Sequence, residues 1–449
     1  MKGIRIALCV SFLILSLTLI CRPGNIDGKD SFEITEKASR AIQFLANLGS
    51  RHAGTENEEK ALAYIRERME KAGLKTYTEP FDIQLFLLEK ATLKIGTLIL
   101  EPDLVGFDPY NGQNKLEGNA VIVKPSTPRE EIFKLDGENK ILITAKPANF
   151  FQLAYLKPKA IVFVGEKELD DLSREDTGPV QLTVDGKIQH LRSANVIGVL
   201  NPNVSAEKEI IISAHMDSFN SPGADDNASG IAVMLELAEY FSENKQDLTY
   251  RLKFAAFGAE EIGLLGSKAY VASHREELKN CDLVFNIDTV GGSEGIYVEM
   301  RGDKEIRAKE KGKSLFPEEM VSRSGRDFGG RWVLLHSSQL LFAGWIPDRL
   351  RKAIDETGKE LGYAITPSYM MGSDHRSFAL AGIPSTGIAI PGNKHHSPED
   401  TPEQINMESL RKAGQIVIGV IEKIMTADPL FRYSYLKAPA GSANAVLME

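Results

Sequence analysis

Between residues 196 and 290 the chain alternates strand-length apolar runs (209–214, 252–257, 283–287) with helix-like runs (231–241, 264–273), each pair separated by a loop. Alternation on that spacing predicts an α/β fold, a mixed and mainly parallel sheet sandwiched by helices. In such sheets reactive groups gather where strands end. Two of these apolar runs stop directly at a histidine or carboxylate, and the third reaches a glutamate pair after two small residues, so the strand ends are where chemistry is expected.

The flanking regions have a different texture. Residues 31–74 place Ile42, Phe44 and Leu45, then Ala61, Tyr64, Ile65 and Met69, at helical spacing, with Gly73 as a stop signal. Two helices are therefore expected around the Gly49–Gly54 loop, which reads as a turn. Residues 86–192 change to short β-branched runs (120–123, 140–144, 160–164) broken by Gly, Pro and Asp, the pattern of a small β-rich inserted module. Its acidic stretch 166–176 reads as a solvated loop. Residues 304–345 read as a loop-rich insertion, 354–361 and 415–425 as helices, and the tail after Lys437 as mobile. The expected division is 1–21 as signal or anchor, 31–85 and 193–427 as the main domain, 86–192 as the insertion, and 428–449 as a tail.

With 53 Lys+Arg against 62 Asp+Glu in 449 residues, the net charge of −9 argues against a nucleic-acid surface, and no Gly-rich phosphate loop supports one. Three cysteines, Cys9, Cys21 and Cys281, do not make a disulfide framework. Lys2 and Arg5 precede a charge-free apolar run, 6–20, with the form of an export signal, shorter than the roughly 20 residues of a spanning helix. No small-x-small cleavage site follows, and Ile20-Cys21 is a degenerate lipoprotein box, so cleavage, lipidation and membrane attachment through the N-terminus all stay open. The expected location is secreted, periplasmic or cell-surface anchored. Oligomeric state has no signature here.

Five segments carry metal-ligand residues. The first is Ser213-Ala214-His215-Met216-Asp217, where a strand-end imidazole can present one nitrogen outward while a carboxylate fixes the other. A hydrogen-bonded structural histidine has the same appearance. The second, Gly223-Ala224-Asp225-Asp226-Asn227-Ala228-Ser229-Gly230, puts carboxylates before a helix N-terminus, which also suits ordinary capping. In the third, Phe257-Gly258-Ala259-Glu260-Glu261, adjacent carboxylates point apart, so one can bind a metal while the other faces a reacting water. A solvated acidic turn is the alternative. The fourth, Phe285-Asn286-Ile287-Asp288, ends a strand in a carboxylate, and the fifth, His395-His396-Ser397-Pro398-Glu399-Asp400-Thr401, is a histidine pair ahead of the last helix.

The order and wording of these five segments resemble the M28 family of zinc exopeptidases. Residues 49–73 resemble the family's N-terminal helices and 196–425 its catalytic domain, while 86–192 resembles a protease-associated domain in texture. The resemblance implies a zinc-exopeptidase-like fold and two Zn²⁺ ions. It makes His215 and Asp288 the terminal ligands of one ion, Glu261 and His396 those of the other, and Asp226 the bridge. Within Asp225-Asp226 the second is chosen because the family's bridge immediately precedes the Asp/Asn-small-Ser-Gly turn. His396 is chosen because the family's ligand stands four residues before the closing Asp-Thr, Asp400-Thr401. Glu260 becomes the general base and Asp217 the partner of His215. Where some members carry a Tyr supporting the oxyanion, this chain has His395. Three carboxylates against two Zn²⁺ leave about +1 on the bare site, which favours hydroxide. His375, in Ser373-Asp374-His375, is read as structural.

The implied activity is removal of N-terminal residues from peptide substrates by metal-activated water. A dipeptidase or carboxypeptidase on the same scaffold is the alternative, followed by a glutaminyl cyclase and a non-catalytic binding ectodomain. All five ligand positions and Glu260 are present, which argues against the last two. A serine or cysteine nucleophile is not expected: no nucleophile elbow is recognised, and Cys281 opens a strand that should bury it.

Overall fold

The computed structural model describes residues 28–426, apart from 103, 108–113, 146–152, 154–155, 173–177, 202–207, 245–247, 301–324, 327–331, 335–345 and 369–371. The expected signal segment, the C-terminal tail and most of 304–345 therefore lie outside the described residues. Within that last stretch only 325–326 and 332–334 are described, as short paired strands.

Four strands run parallel at the centre of the main sheet: β8 (Glu209–His215), β9 (Arg251–Phe257), β10 (Cys281–Ile287) and β15 (Ser385–Ala389). On one side they are extended by β11 (Ile296–Glu299), antiparallel to β15, and β14 (Ile365–Ser368); on the other by β7 (Pro179–Leu200), antiparallel to β9. The mixed, mainly parallel sheet read from the sequence is the one observed. Its four central strands are buried along nearly their whole length because both faces are covered. Ile210 and Ile212 enter one core with α1 (Glu36–Asn47), α2 (Glu56–Lys71), α3 (Gly230–Glu243), α5 (Asp348–Leu361) and α6 (Met407–Thr426). Ile211, one residue out of phase, enters the opposite core with Tyr270 and Val271 of α4 (Leu265–Ser273). Thr35 and Thr55 cap α1 and α2, accepting amide hydrogen bonds from Lys37 and Glu58.

The expected insertion hangs on a ribbon. β1 (Lys75–Ile95) pairs with β7 from Lys75↔Val199 to Ile95↔Val180, and the ribbon runs through residues 86 and 192 with only a bulge at Leu88/Lys90. Its far half packs with β2 (Leu98–Leu100), β3 (Leu104–Phe107), β4 (Lys115–Ile122), β5 (Ile141–Thr144) and β6 (Ala160–Phe163) around a separate core containing Leu93, Ile143 and Val162. The two short strands β12 (Gly325–Arg326) and β13 (Trp332–Leu334) lie between β1 and β3, β12 pairing with β1 and β13 with β3. The acidic stretch is not the loop its charge suggested. Residues Glu166–Leu172 form a helix, because Leu169 and Leu172 repeat at helical spacing beneath the acids and both are buried in that core.

Candidate metal centre

All five segments meet at the C-terminal ends of the parallel strands. β8 ends at His215, which is only 1% exposed; Asp288 follows β10, Glu260 and Glu261 follow β9, and His395 and His396 follow β15. Asp226 lies in the distorted turn 224–229 ahead of α3, where residues 226 and 227 leave helical geometry. The turn thus aims a carboxylate where a helix would have turned it aside.

Asp226 faces two histidines at once. Its Oδ1 is 3.1 Å from His215 Nε2 and its Oδ2 2.9 Å from His396 Nε2. Asp288 Oδ1 is 3.3 Å from the same His215 nitrogen, and Glu261 Oε2 is 3.1 Å from the same His396 nitrogen. Two groups result, His215–Asp226–Asp288 and Asp226–Glu261–His396, each with one ligand atom per residue and all within 4.8 Å. On its other side His215 Nδ1 donates to Asp217 O at 3.2 Å, which fixes the tautomer and leaves Nε2 to coordinate. A cavity of about 310 Å³ opens over the cluster, with Leu264 and Ala389 on its apolar side.

The donor set fits a cation. Glu261 Oε1 is buried with no hydrogen-bond partner, a costly state for a carboxylate oxygen unless a metal completes it. Nitrogen and oxygen donors in this mixture suit borderline divalent ions. The electrostatics also mark the need for positive charge. Burial pushes Glu261 up to about 7, partly offset by His396, and raises Glu260 well above the usual carboxylate range. Burial lowers His215, but Asp288 and Glu260 outweigh it and hold the imidazole well above its ordinary value. Glu261 and Asp226 lift His396 up to about 11.

Three residues that the sequence reading did not assign hold the site together. Arg51, in the loop read as a plain turn, is fully buried. Its guanidinium donates to Met216 O at 2.8 Å, Leu45 O at 3.2 Å, Pro222 O at 2.5 Å and Gly223 O at 3.0 Å. Burial lowers its pKa to about 10, so it remains charged under the site. Asp225 accepts from Gly291 N at 2.7 Å and Gly392 N at 2.8 Å, joining the loops after β10 and β15. Asp400 accepts from the amides of Asp225 and Asp226 at 2.7 and 3.1 Å. The available signals were an arginine between glycines and carboxylates adjacent to ligands, neither specific alone.

The remaining assignments fall into place unevenly. Asp217 touches His215 and also accepts from the amides of Glu260 and Glu261, at 3.1 Å each. His395 is exposed, its ring 5.6 Å from that of His396, and its Nδ1 lies 3.3 Å from Gly392 O. His375 is fully buried and stands outside both metal groups. The string Gly291-Gly292-Ser293-Glu294-Gly295 has the spacing of a nucleophile elbow, but it leads into strand β11 instead of a helix and so lacks the strand-turn-helix setting. Cys281 is buried as expected.

Comparison with known proteins finds bacterial aminopeptidases among the similar chains. Aminopeptidase YwaD of Bacillus subtilis is 28% identical over 436 residues, covering 89% of this chain and 86% of its own. The solved aminopeptidase from Aneurinibacillus sp. strain AM-1 superposes with a TM-score of 0.61 at 24% identity, over 88% of this chain and 96% of that one. BSAP, a zinc aminopeptidase from Bacillus subtilis, gives 0.57 at 22% identity, over 88% and 97%. At those identities the two structures establish the fold alone. The profile of peptidase family M28 matches residues 195–323 and 341–421, which include every residue of both metal groups. On that profile, with the ligand segments meeting at the strand ends, the catalytic part of the chain, residues 195–323 and 341–421, matches peptidase family M28.

Proposed function

We propose that the protein is an exported zinc aminopeptidase that binds two Zn²⁺ ions and releases N-terminal residues from peptides. The observation that carries the reading is the Asp226 carboxylate, with one oxygen directed at each of two separate histidine–carboxylate groups. In this reading His215 and Asp288 would hold one ion and Glu261 and His396 the other, with Asp226 serving both. Bound zinc supplies Lewis-acid polarisation of the scissile carbonyl and charge stabilisation as the oxyanion develops.

The chain's own groups do the remaining work. Glu260 faces the same cavity as the metal residues and takes the proton of the attacking water, then delivers it to the leaving amine. Asp217 holds the two glutamate amides so that Glu260 and Glu261 keep separate directions. His395, its ring 5.6 Å from that of His396 and its Nδ1 3.3 Å from Gly392 O, stands beside the cavity residue His396 and is the candidate for oxyanion support. The apolar run 6–20 supports export; no helix among the described residues is long and apolar enough to cross a membrane. Residues 86–192 are read as a module inserted on the β1–β7 ribbon.

The test is a peptide panel with free or acetylated N-termini and free or amidated C-termini, read by mass spectrometry with chelator and zinc add-back. Chelator-sensitive loss of N-terminal residues from unacetylated peptides alone is expected. Cleavage that instead requires a free C-terminus would replace the aminopeptidase reading with a carboxypeptidase one.

A further inference from the structure

The loop Gly258–Gly266 delivers both Glu260 and Glu261, yet no metal residue holds its base. Its neck is closed by Gly266 N donating to Gly258 O at 3.1 Å. Across the same neck lies the side chain of Asn195, from β7, with no exposed surface. Asn195 Oδ1 accepts from Gly258 N at 3.2 Å and Nδ2 donates to Gly266 O at 3.0 Å. Only this amide orientation satisfies both backbone groups. The clasp is tight: a Cβ on Gly266 would lie 2.3 Å from Gly258 O and 2.4 Å from Asn195 Oδ1. Behind it, Ala259 and Ile262 pack on Ile83 of β1 and Ala53, with Leu191 of β7 against them.

We infer that Asn195 is a positioning residue: its side-chain amide fixes the neck of the Gly258–Gly266 loop and thereby sets where Glu260 and Glu261 stand relative to Asp226 and His396. It touches neither substrate nor ligand atoms and acts entirely through the loop. With the tip pinned by Asp217 and the neck by Asn195, both ends of the loop are fixed, and the second pin comes from the strand that returns from the β1–β7 ribbon. Loss of the clasp therefore loosens one metal group, that of Glu261, and the base, while His215 and Asp288 keep their places on β8 and β10.

This inference rests on the zinc-peptidase reading, but its test does not need turnover. Full-length Asn195→Ala and Asn195→Asp are compared with Val199→Ala, a truncation of a buried residue on the same strand away from the loop. Asn195→Asp keeps the acceptor for Gly258 and presents an oxygen to Gly266 O, so it decides the matter if the alanine variant does not fold. Zinc affinities are read by competition with a chromophoric indicator, alongside Tm and, on a leucine anilide, kcat and KM. Expected in the Asn195 variants is a fall of about 10- to 100-fold in one of the two zinc affinities with the other unchanged. A comparable fall in kcat with KM within about threefold should accompany it. Val199→Ala should lower Tm and leave both affinities in place. Asn195 variants whose two zinc affinities match those of Val199→Ala would overturn the inference, and would do so even if the parent protein hydrolysed nothing.

Discussion

Asp217 Oδ2 accepts the backbone amide of Glu261 at 3.1 Å, while its Oδ1 accepts that of Glu260 at the same distance. One carboxylate thus orients both neighbouring glutamates, and its backbone oxygen also holds His215 Nδ1. Asp217→Asn keeps the shape but turns an NH₂ toward one of the two amides, leaving a buried donor unsatisfied at about 1–3 kcal/mol. Expected is a drop in kcat of about 10- to 100-fold with weaker zinc binding, measured by anilide hydrolysis and indicator competition. Parent-like values for both would show that the amides need no such acceptor.

Asp225 is a brace between loops whose sequence separation hides their proximity. Its oxygens take the amides of Gly291 and Gly392, three residues after Asp288 and four before His396, and its own amide is held by Asp400. The two loops are also in backbone contact, since a Cβ on Gly292 would lie 2.0 Å from Gly392 N. Asp225→Asn supplies only one acceptor for two donors. We expect zinc to dissociate at a chelator concentration about tenfold lower than for the parent. Identical chelator titrations would mean that the glycine contacts alone hold the loops.

Much of this site is legible in the sequence because three of its ligands, His215, Glu261 and Asp288, end or closely follow apolar strands, and strand ends in a parallel sheet converge. His215, Glu261 and Asp288 could be placed from that rule and the local words around them. What the sequence conceals is long-range: Arg51 serves carbonyls at 216, 222 and 223, and Asn195 clasps 258 and 266. Such partners are set by tertiary approach, and a buried arginine or asparagine leaves no periodic trace. The Glu166–Leu172 helix is hidden for a related reason, since its acidic composition masks two leucines at helical spacing.

Glu260 and Glu261 are adjacent, and substitution separates their roles. Glu260→Gln preserves size and removes the group that carries the proton. We expect kcat to fall by about 10²- to 10⁴-fold while both zinc affinities stay within about threefold of the parent. Glu261→Gln should instead lose one bound zinc. If Glu260→Gln hydrolyses the anilide at the parental rate, proton transfer belongs to another group.

Glu58 offers a pH signature separate from catalysis. Its side chain is buried behind the ligand loop, accepting from Ser193 Oγ at 2.7 Å and Gly54 N at 2.6 Å. Burial lifts its pKa from 4.5 to about 8, with those hydrogen bonds opposing the shift. Between these two values the unfolded chain releases the proton while the folded chain keeps it. Here the native state binds more protons than the unfolded state, so this residue makes stability decline as pH rises from about 4.5 to 8, with a slope approaching ~1.4 kcal/mol per pH unit. Below 4.5 both states are protonated and the effect vanishes. Glu58→Gln removes the titration, so its Tm relative to the parent should rise steadily between pH 5 and pH 8, as calorimetry on the zinc-loaded proteins would register. A Tm difference constant across that range would show that Glu58 ionises alike in both states, and that its burial costs the fold nothing in proton affinity.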